Sequence, residues 1–167
     1  MPSVIQKLLA TLPIKNQFEN LTDGEFAQTS PFDPDYNCIA YAAGKTDRNW
    51  WPIRGNFAKW HWPKGVSTSE SVKSFVTAFK TFGYSRCESA DLEPGFEKVA
   101  IFVSTVPTAL NPKGIPTHMA IQLESGKWSS KLGSAEDISH DRLEDIGGKF
   151  YGEVKQILKR RRLTKRK

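Results

Sequence analysis

Cys38 opens the segment CIAYA, and Asp33, Pro34, Asp35 and Asn37 hold the preceding chain off a helix up to that point. A cysteine in a helix's first turn sits among unpaired backbone N–H groups at the positive end of the macrodipole. That setting favours a thiolate and lowers the thiol pKa. The same N–H groups, that of Cys38 included, are donors for a tetrahedral oxyanion. A thiol nucleophile also needs a base that can hand a proton to the leaving group, and histidine suits that near neutral pH. The histidines are His61, His118 and His140. His118 opens a predicted strand after a loop, so its ring can project from a sheet edge while Met119 to Leu123 anchor it. His61 falls in a tryptophan-rich loop, and His140 near the predicted start of a helix. Cys38 and His118 are therefore the candidate nucleophile and general base.

The elements that must position this pair follow from pattern. The start, MPSVIQKLLATL, suggests a short amphipathic helix ended by Pro13, and residues 16–36 an irregular segment. CIAYAAG is a small apolar helix closed by Gly44. Ser67 followed by Glu70 matches a capping box. Val72, Phe75, Val76, Phe79 and Phe82 then fall on one face of a helix that Gly83 stops. KVAIFVS is a buried strand, and THMAIQL and WSSKLG form a hairpin about Glu124 to Lys127. Ser139 to Leu158 predicts helix interrupted at Gly147 and Gly148, with Val154, Ile157 and Leu158 as a modest apolar face. The order is that of an α+β fold: N-terminal helices, a small antiparallel sheet carrying His118, and C-terminal helices.

YNCIAYAAG and THMAIQLESGKWSSKLG together resemble the NlpC-like branch of papain-fold cysteine peptidases. In that branch a Cys begins a helix, a His begins a sheet strand, and a polar third residue lies on the next strand. The chain is more similar still to an uncharacterised bacterial family of NCIAYA-type proteins. The shared features there are a WW-P loop, a helix, H-x-A, W-x-SKLG and an I-x-H segment, over residues 34–158. The resemblance implies a papain-like fold, Cys38 as nucleophile, His118 as base and Ser130 in the third position. Where the family usually has His, Asn or Gln, serine stands here, so His140 or Asp137 is an alternative orienter. Asn37 stands where an aspartate often precedes the nucleophile. The implied substrate is a peptide or amide, with bacterial cell-wall peptide as one class. A catalytically inactive interaction protein on the same fold is the alternative.

Trp50, Trp51, Trp60 and Trp62, with Asn37, either line a substrate groove or lock a long loop to the body. Lys131 is expected as a surface cation or a contact to acidic substrate, and Cys87, beside Arg86, as an inert thiol. A Cys38–Cys87 disulfide would be unusual in a reducing cytosol. Ligand spacing gives no support for zinc bound by Cys38, His118 and His140; no metal and no cofactor are expected. The 167 residues, 38% hydrophobic and 25% charged, fit one soluble monomeric domain over 1–158 rather than a disordered chain. Seven of the nine residues 159–167 are Lys or Arg and account for the net charge of +6. Such a tail is either a frayed, solvated helix end or a patch for nucleic acid or anionic lipid. With no signal-peptide pattern and no membrane-length apolar run, the expected location is the cytoplasm.

Overall fold

The computed structural model describes residues 14–21, 26–55, 58–106, 109, 111–133 and 135–163. The predicted amphipathic helix over residues 1–13 lies outside them. Helix α1 (Ile14–Gln17) is a single turn, α2 is Cys38–Ala42 and α3 is Val72–Lys80. The strands are β1 (Phe26–Gln28), β2 (Asn49–Trp50), β3 (Trp60–His61), β4 (Ser85–Cys87), β5 (Phe96–Val103), β6 (Pro116–Gln122), β7 (Trp128–Lys131), β8 (Asp137–His140) and β9 (Glu153–Arg161). Among the described residues, seven strands form one antiparallel sheet in the order β1-β8-β7-β6-β5-β9-β4, and β2 and β3 pair in parallel. The fold is α+β, dominated by that sheet.

Side-chain alternation on the strands divides the apolar interior into two cores. Val99, Ile101, Val103 and Met119 face α2 and α3, joined by Ile39, Ala42, Phe75, Val76 and Phe79. Ala100, Phe102, Ala120, Trp128 and Ile138 face the other way, covered by Phe18, Leu143, Ile146 and Tyr151. The helix α2 ends as the sequence leads one to expect. Gly44 takes φ 73°, its N–H bonds the Tyr41 carbonyl and that of Lys45 bonds Ala40, which is the Schellman arrangement.

Three expectations are corrected. The helix after the tryptophan loop is capped by Ser71 rather than Ser67: Ser71 Oγ accepts from the Ser74 N–H, while Glu70 accepts from Trp51 Nε1. Phe26–Gln28, expected to be irregular, is an edge strand on β8. The C-terminal helices are not there. β8, a 3-10 turn at Leu143–Ile146 and β9 replace them, and β9 lies inside the sheet between β5 and β4. The misreading has a physical source. The register of β9 against β5 passes from Ile101–Gln156 to Phe102–Val154, so Lys155 bulges out of the ladder. That extra residue puts Val154 and Ile157 against the same core, a spacing of three that imitates a helix face.

The basic tail is corrected with it. Lys159, Arg160 and Arg161 belong to β9. Lys159 meets Glu93 at 2.9 Å, Arg160 meets Glu97 at 2.9 Å over the Tyr84 ring, and Arg162 lies 3.7 Å from Glu124. These cations are held by the body instead of fraying into solvent; residues 164–167 lie outside the described residues. No helix among the described residues is long and apolar enough to cross a membrane.

Moving the cap to Ser71 has a measurable consequence. Ser71→Ala is expected to lower stability by about 1 kcal/mol, and Ser67→Ala by only a few tenths, in urea unfolding followed by circular dichroism.

Candidate functional site

Cys38 is placed by its neighbour. Asn37 caps α2, its Oδ1 accepting from the Ala40 N–H at 3.1 Å and the Trp50 N–H at 3.0 Å, while its Nδ2 donates to the Trp50 carbonyl at 2.8 Å. One carboxamide thus ties the helix start to β2. Asn37 is 1% exposed, so it supports Cys38 and presents nothing to a substrate. Cys38 itself is completely buried, and both it and Cys87 are free thiols. Burial pushes the Cys38 thiol up to about 11, against the backbone N–H groups of Met119, Ile39 and Cys38 and the charge of Lys131, which all favour the thiolate. The lowered pKa expected from the helix terminus is therefore reversed. A five-residue helix offers little dipole, and desolvation outweighs it.

His118 on β6 is also completely buried. Its Nε2 lies 3.0 Å from Ser130 Oγ on β7, and that hydroxyl lies 2.8 Å from Nε2 of His140 on β8. His140 Nδ1 lies 2.8 Å from the Arg142 carbonyl. Arg142 is held in turn, its N–H donating to Asp145 Oδ2 at 2.9 Å and its side chain pairing with the same carboxylate. A carbonyl only accepts, so His140 carries its proton on Nδ1 and offers Nε2 as acceptor. Ser130 then donates to His140 and accepts from His118 Nε2–H. The remaining nitrogen, His118 Nδ1, has a lone pair, is buried and has no hydrogen-bond partner. The His118 ring stacks on Tyr151, with centroids 4.1 Å apart and planes at 14°, and meets Phe102 edge-on.

The structure thus brings His118, Ser130 and His140 into one chain of hydrogen bonds, with Ser130 first and His140 second. Asp137 stands apart from it, accepting from the Tyr36 hydroxyl at 3.2 Å and lying 3.7 Å from Lys131 Nζ. Lys131 is not at the surface: its side chain is completely buried. Cys38 approaches the same strand from the side of α2. Its sulfur faces the N–H of Met119, whose side chain joins the first core, while the His118 ring is packed with Phe102 and Tyr151 of the second. No hydrogen bond joins Cys38 to His118.

The tryptophans serve mainly as a lock. Trp50 is 2% exposed and packs on His61 and Phe82, with centroids at 4.7 and 5.4 Å. Trp51 and Trp62 flank Phe75 of α3, and Trp62 Nε1 donates to the Ser67 carbonyl. Trp60, on β3, is partly exposed. A shallow cleft of about 580 Å³ beside Trp50 is lined by Lys45, Asp47, Arg48, His61 and Phe82. Among the described residues, no group of three or more His, Cys, Asp or Glu side chains is arranged to hold a metal ion. The features that sequence reasoning missed are the Arg142 carbonyl and the buried Lys131 pair. Both depend on which strands become neighbours, and nothing in local spacing announces them.

A family model described as Domain of unknown function (DUF7689) matches residues 27–159, from β1 to the middle of β9. That span agrees with the expected resemblance to a family of unknown function and does not bear on the NlpC-like placement. No curated protein and no solved structure matches.

Both relay histidines are held below the ordinary imidazole value. For His118 the causes are burial and then the facing His140; for His140 burial prevails over the Arg142 carbonyl, Asp145 and Asp141. The unfolded chain therefore takes up protons first as the pH falls through about 6.5, so stability is present above that value and lost below it. Each histidine is expected to contribute a slope of about 1.4 kcal/mol per pH unit below ~6.5 until its own folded-state value is reached. Urea midpoints across that range measure it, and His140→Gln should remove one histidine's share of the slope.

Proposed function

Because the chain belongs to the DUF7689 family, whose description assigns no activity, the reading rests on its own residues. We propose that it is a papain-like, NlpC-like thiol hydrolase that cleaves a peptide or amide bond through a thioester. The supporting observation is the direction of the relay, which leaves His118 Nδ1 as a buried, unpartnered lone pair on the strand that Cys38 touches. In this reading Cys38 gives its proton to His118 Nδ1, and the sulfur adds to the substrate carbonyl. The N–H groups of Cys38, Ile39 and Met119, which already face the sulfur, receive the oxyanion. The proton on Nδ1 passes to the leaving nitrogen, the C–N bond breaks, and water then hydrolyses the thioester. Ser130 and His140 keep the ring in the Nε2–H tautomer throughout. In the resting fold the thiol is neutral and buried on the α2 face of the sheet while the His118 ring packs on the opposite face, so this reading requires β6 to rotate locally before the sulfur and Nδ1 can meet.

The complete burial of Cys38 favours a second reading, a catalytically inactive papain-like interaction protein. One experiment separates them. The protein is incubated with p-nitrophenyl acetate, quenched in acid and mapped for acetylated residues. Hydrolase chemistry gives acetyl-Cys38 that turns over. His118→Ala slows its formation by about a hundredfold or more, and Ser130→Ala and His140→Gln by about tenfold. Acetylation confined to Cys87 and lysines, with Cys38 untouched, overturns the hydrolase.

A further inference from the structure

Gln122, the last residue of β6, carries a buried acceptor that no described group satisfies. Ala120 and Trp128 face the second core. Gln122 is two residues on from Ala120 and opposite Trp128 in the register, so its side chain lies on that face too. The residue is 3% exposed. Its Nε2 donates to the Ala90 carbonyl at 2.8 Å. A carbonyl only accepts, so the amide has one orientation and Oε1 is the atom left over. That oxygen is buried and has no hydrogen-bond partner. Leaving an acceptor in this state costs roughly 1–3 kcal/mol, and an apolar side chain of similar shape would avoid the cost.

Gln122 lines a cleft of about 260 Å³ at the end of the β6–β7 hairpin. Ala90, Trp128 and Leu143 give the cleft an apolar wall. Asp91, Asp141 and Glu144 stand with them as three carboxylates. The cations nearby are committed elsewhere: Lys127 lies 3.1 Å from Asp141, and the Arg142 guanidinium 3.3 Å from the buried Asp145. Among the described residues, the carboxylates of Asp91 and Glu144 have no ion pair. The wall is also anchored. Lys98 Nζ donates to the carbonyls of Ser89 at 2.9 Å and Asp91 at 2.7 Å, on either side of Ala90.

An apolar wall, unpaired carboxylates and a buried acceptor together suit a cation that donates N–H and carries an apolar stem. We propose that this cleft binds a primary alkylammonium, its stem against Trp128 and Leu143 and its N–H groups directed to Gln122 Oε1 between Asp91 and Glu144. The volume lies below the roughly 300–1,000 Å³ of pockets for drug-sized ligands, so it fits a small amine or one lysine side chain. A metal ion fits less well. Among the described residues no group of three or more His, Cys, Asp or Glu is arranged to hold one, and a metal would leave the apolar wall unused. The site does not depend on the thiol-hydrolase reading, since Cys38 packs in the core on the other face of the sheet.

The test is isotope-edited NMR of the whole chain at neutral pH and constant ionic strength, following the Gln122 side-chain amide and the Trp128 indole N–H. The probes are n-butylammonium, its neutral equivalent n-butanol, tetramethylammonium as a cation without N–H, and Nα-acetyl-lysine methylamide as the side chain of a peptide. Butylammonium should shift both signals saturably, and butanol and tetramethylammonium should bind about tenfold more weakly or not at all. Binding of butylammonium alone marks a free amine as the ligand, and binding of the lysine derivative as well marks a peptide side chain; both support the proposal. Gln122→Met removes the acceptor at similar volume and should weaken butylammonium about tenfold, read at Trp128. Asp91→Asn combined with Glu144→Gln changes exposed positions only, so it serves if Gln122→Met does not fold; it should weaken binding about fivefold. The proposal is overturned by the lack of a saturable shift, by equal binding of butanol or tetramethylammonium, or by unchanged affinity in either variant.

Discussion

A carbonyl oxygen can accept a hydrogen bond and cannot give one, and the Arg142 carbonyl against His140 orders everything upstream of it. From that single acceptor the protons on His140, Ser130 and His118 each have one arrangement when both rings are neutral. The rings are neutral because they are buried, and the carbonyl is fixed because Asp145 holds Arg142 at the head of the 3-10 turn. The result is a lone pair on His118 Nδ1 with nothing to satisfy it. An unmet buried polar atom costs roughly 1–3 kcal/mol, and this one lies on β6, next to the Met119 N–H that faces the Cys38 sulfur.

Cys38 is placed by a second, independent chain of contacts. Trp50 is buried between His61 and Phe82, its backbone is clasped by the Asn37 side chain, and Asn37 begins the helix that carries Cys38. Trp51 and Trp62 hold the rest of the loop on Phe75. The tryptophan loop therefore bears on Cys38 through packing, although most of its rings never reach it. The two chains meet at the peptide between His118 and Met119, one acting from each face of the sheet.

Much of this could be read in the residues beforehand. Gly44 and the short apolar run before it announce α2; the β-branched and aromatic run in KVAIFVS and the turn at Gly126 announce β5 and the β6–β7 hairpin. The grouping of His118 with Ser130 and His140 was within reach because two of the three lie on that hairpin. What local pattern could not supply was pairing between distant segments. The bulge at Lys155 disguised a central strand as a helix, and with it the destination of Lys159, Arg160 and Arg161. A helix start suggested an acidic thiol at Cys38, whereas burial, visible only in the folded chain, sets it the other way. Lys131 looked like a surface lysine because its partner Asp137 becomes its neighbour only when β7 and β8 pair.

The position of β9 also governs the order in which the molecule can be assembled. It follows all the other strands in the chain, yet it pairs with β5 on one side and β4 on the other. Until it has been synthesised, β5 presents an open edge carrying Val99, Ile101, Phe102 and Val103, and β4 has no sheet to join. The growing chain must therefore carry an apolar, unpaired strand edge for roughly fifty residues of translation, a few seconds at ordinary ribosomal speed. Contacts of such long sequence separation form slowly. Completion of the sheet, and of both cores, to which β9 contributes Leu158 and Ile157, therefore waits for this strand.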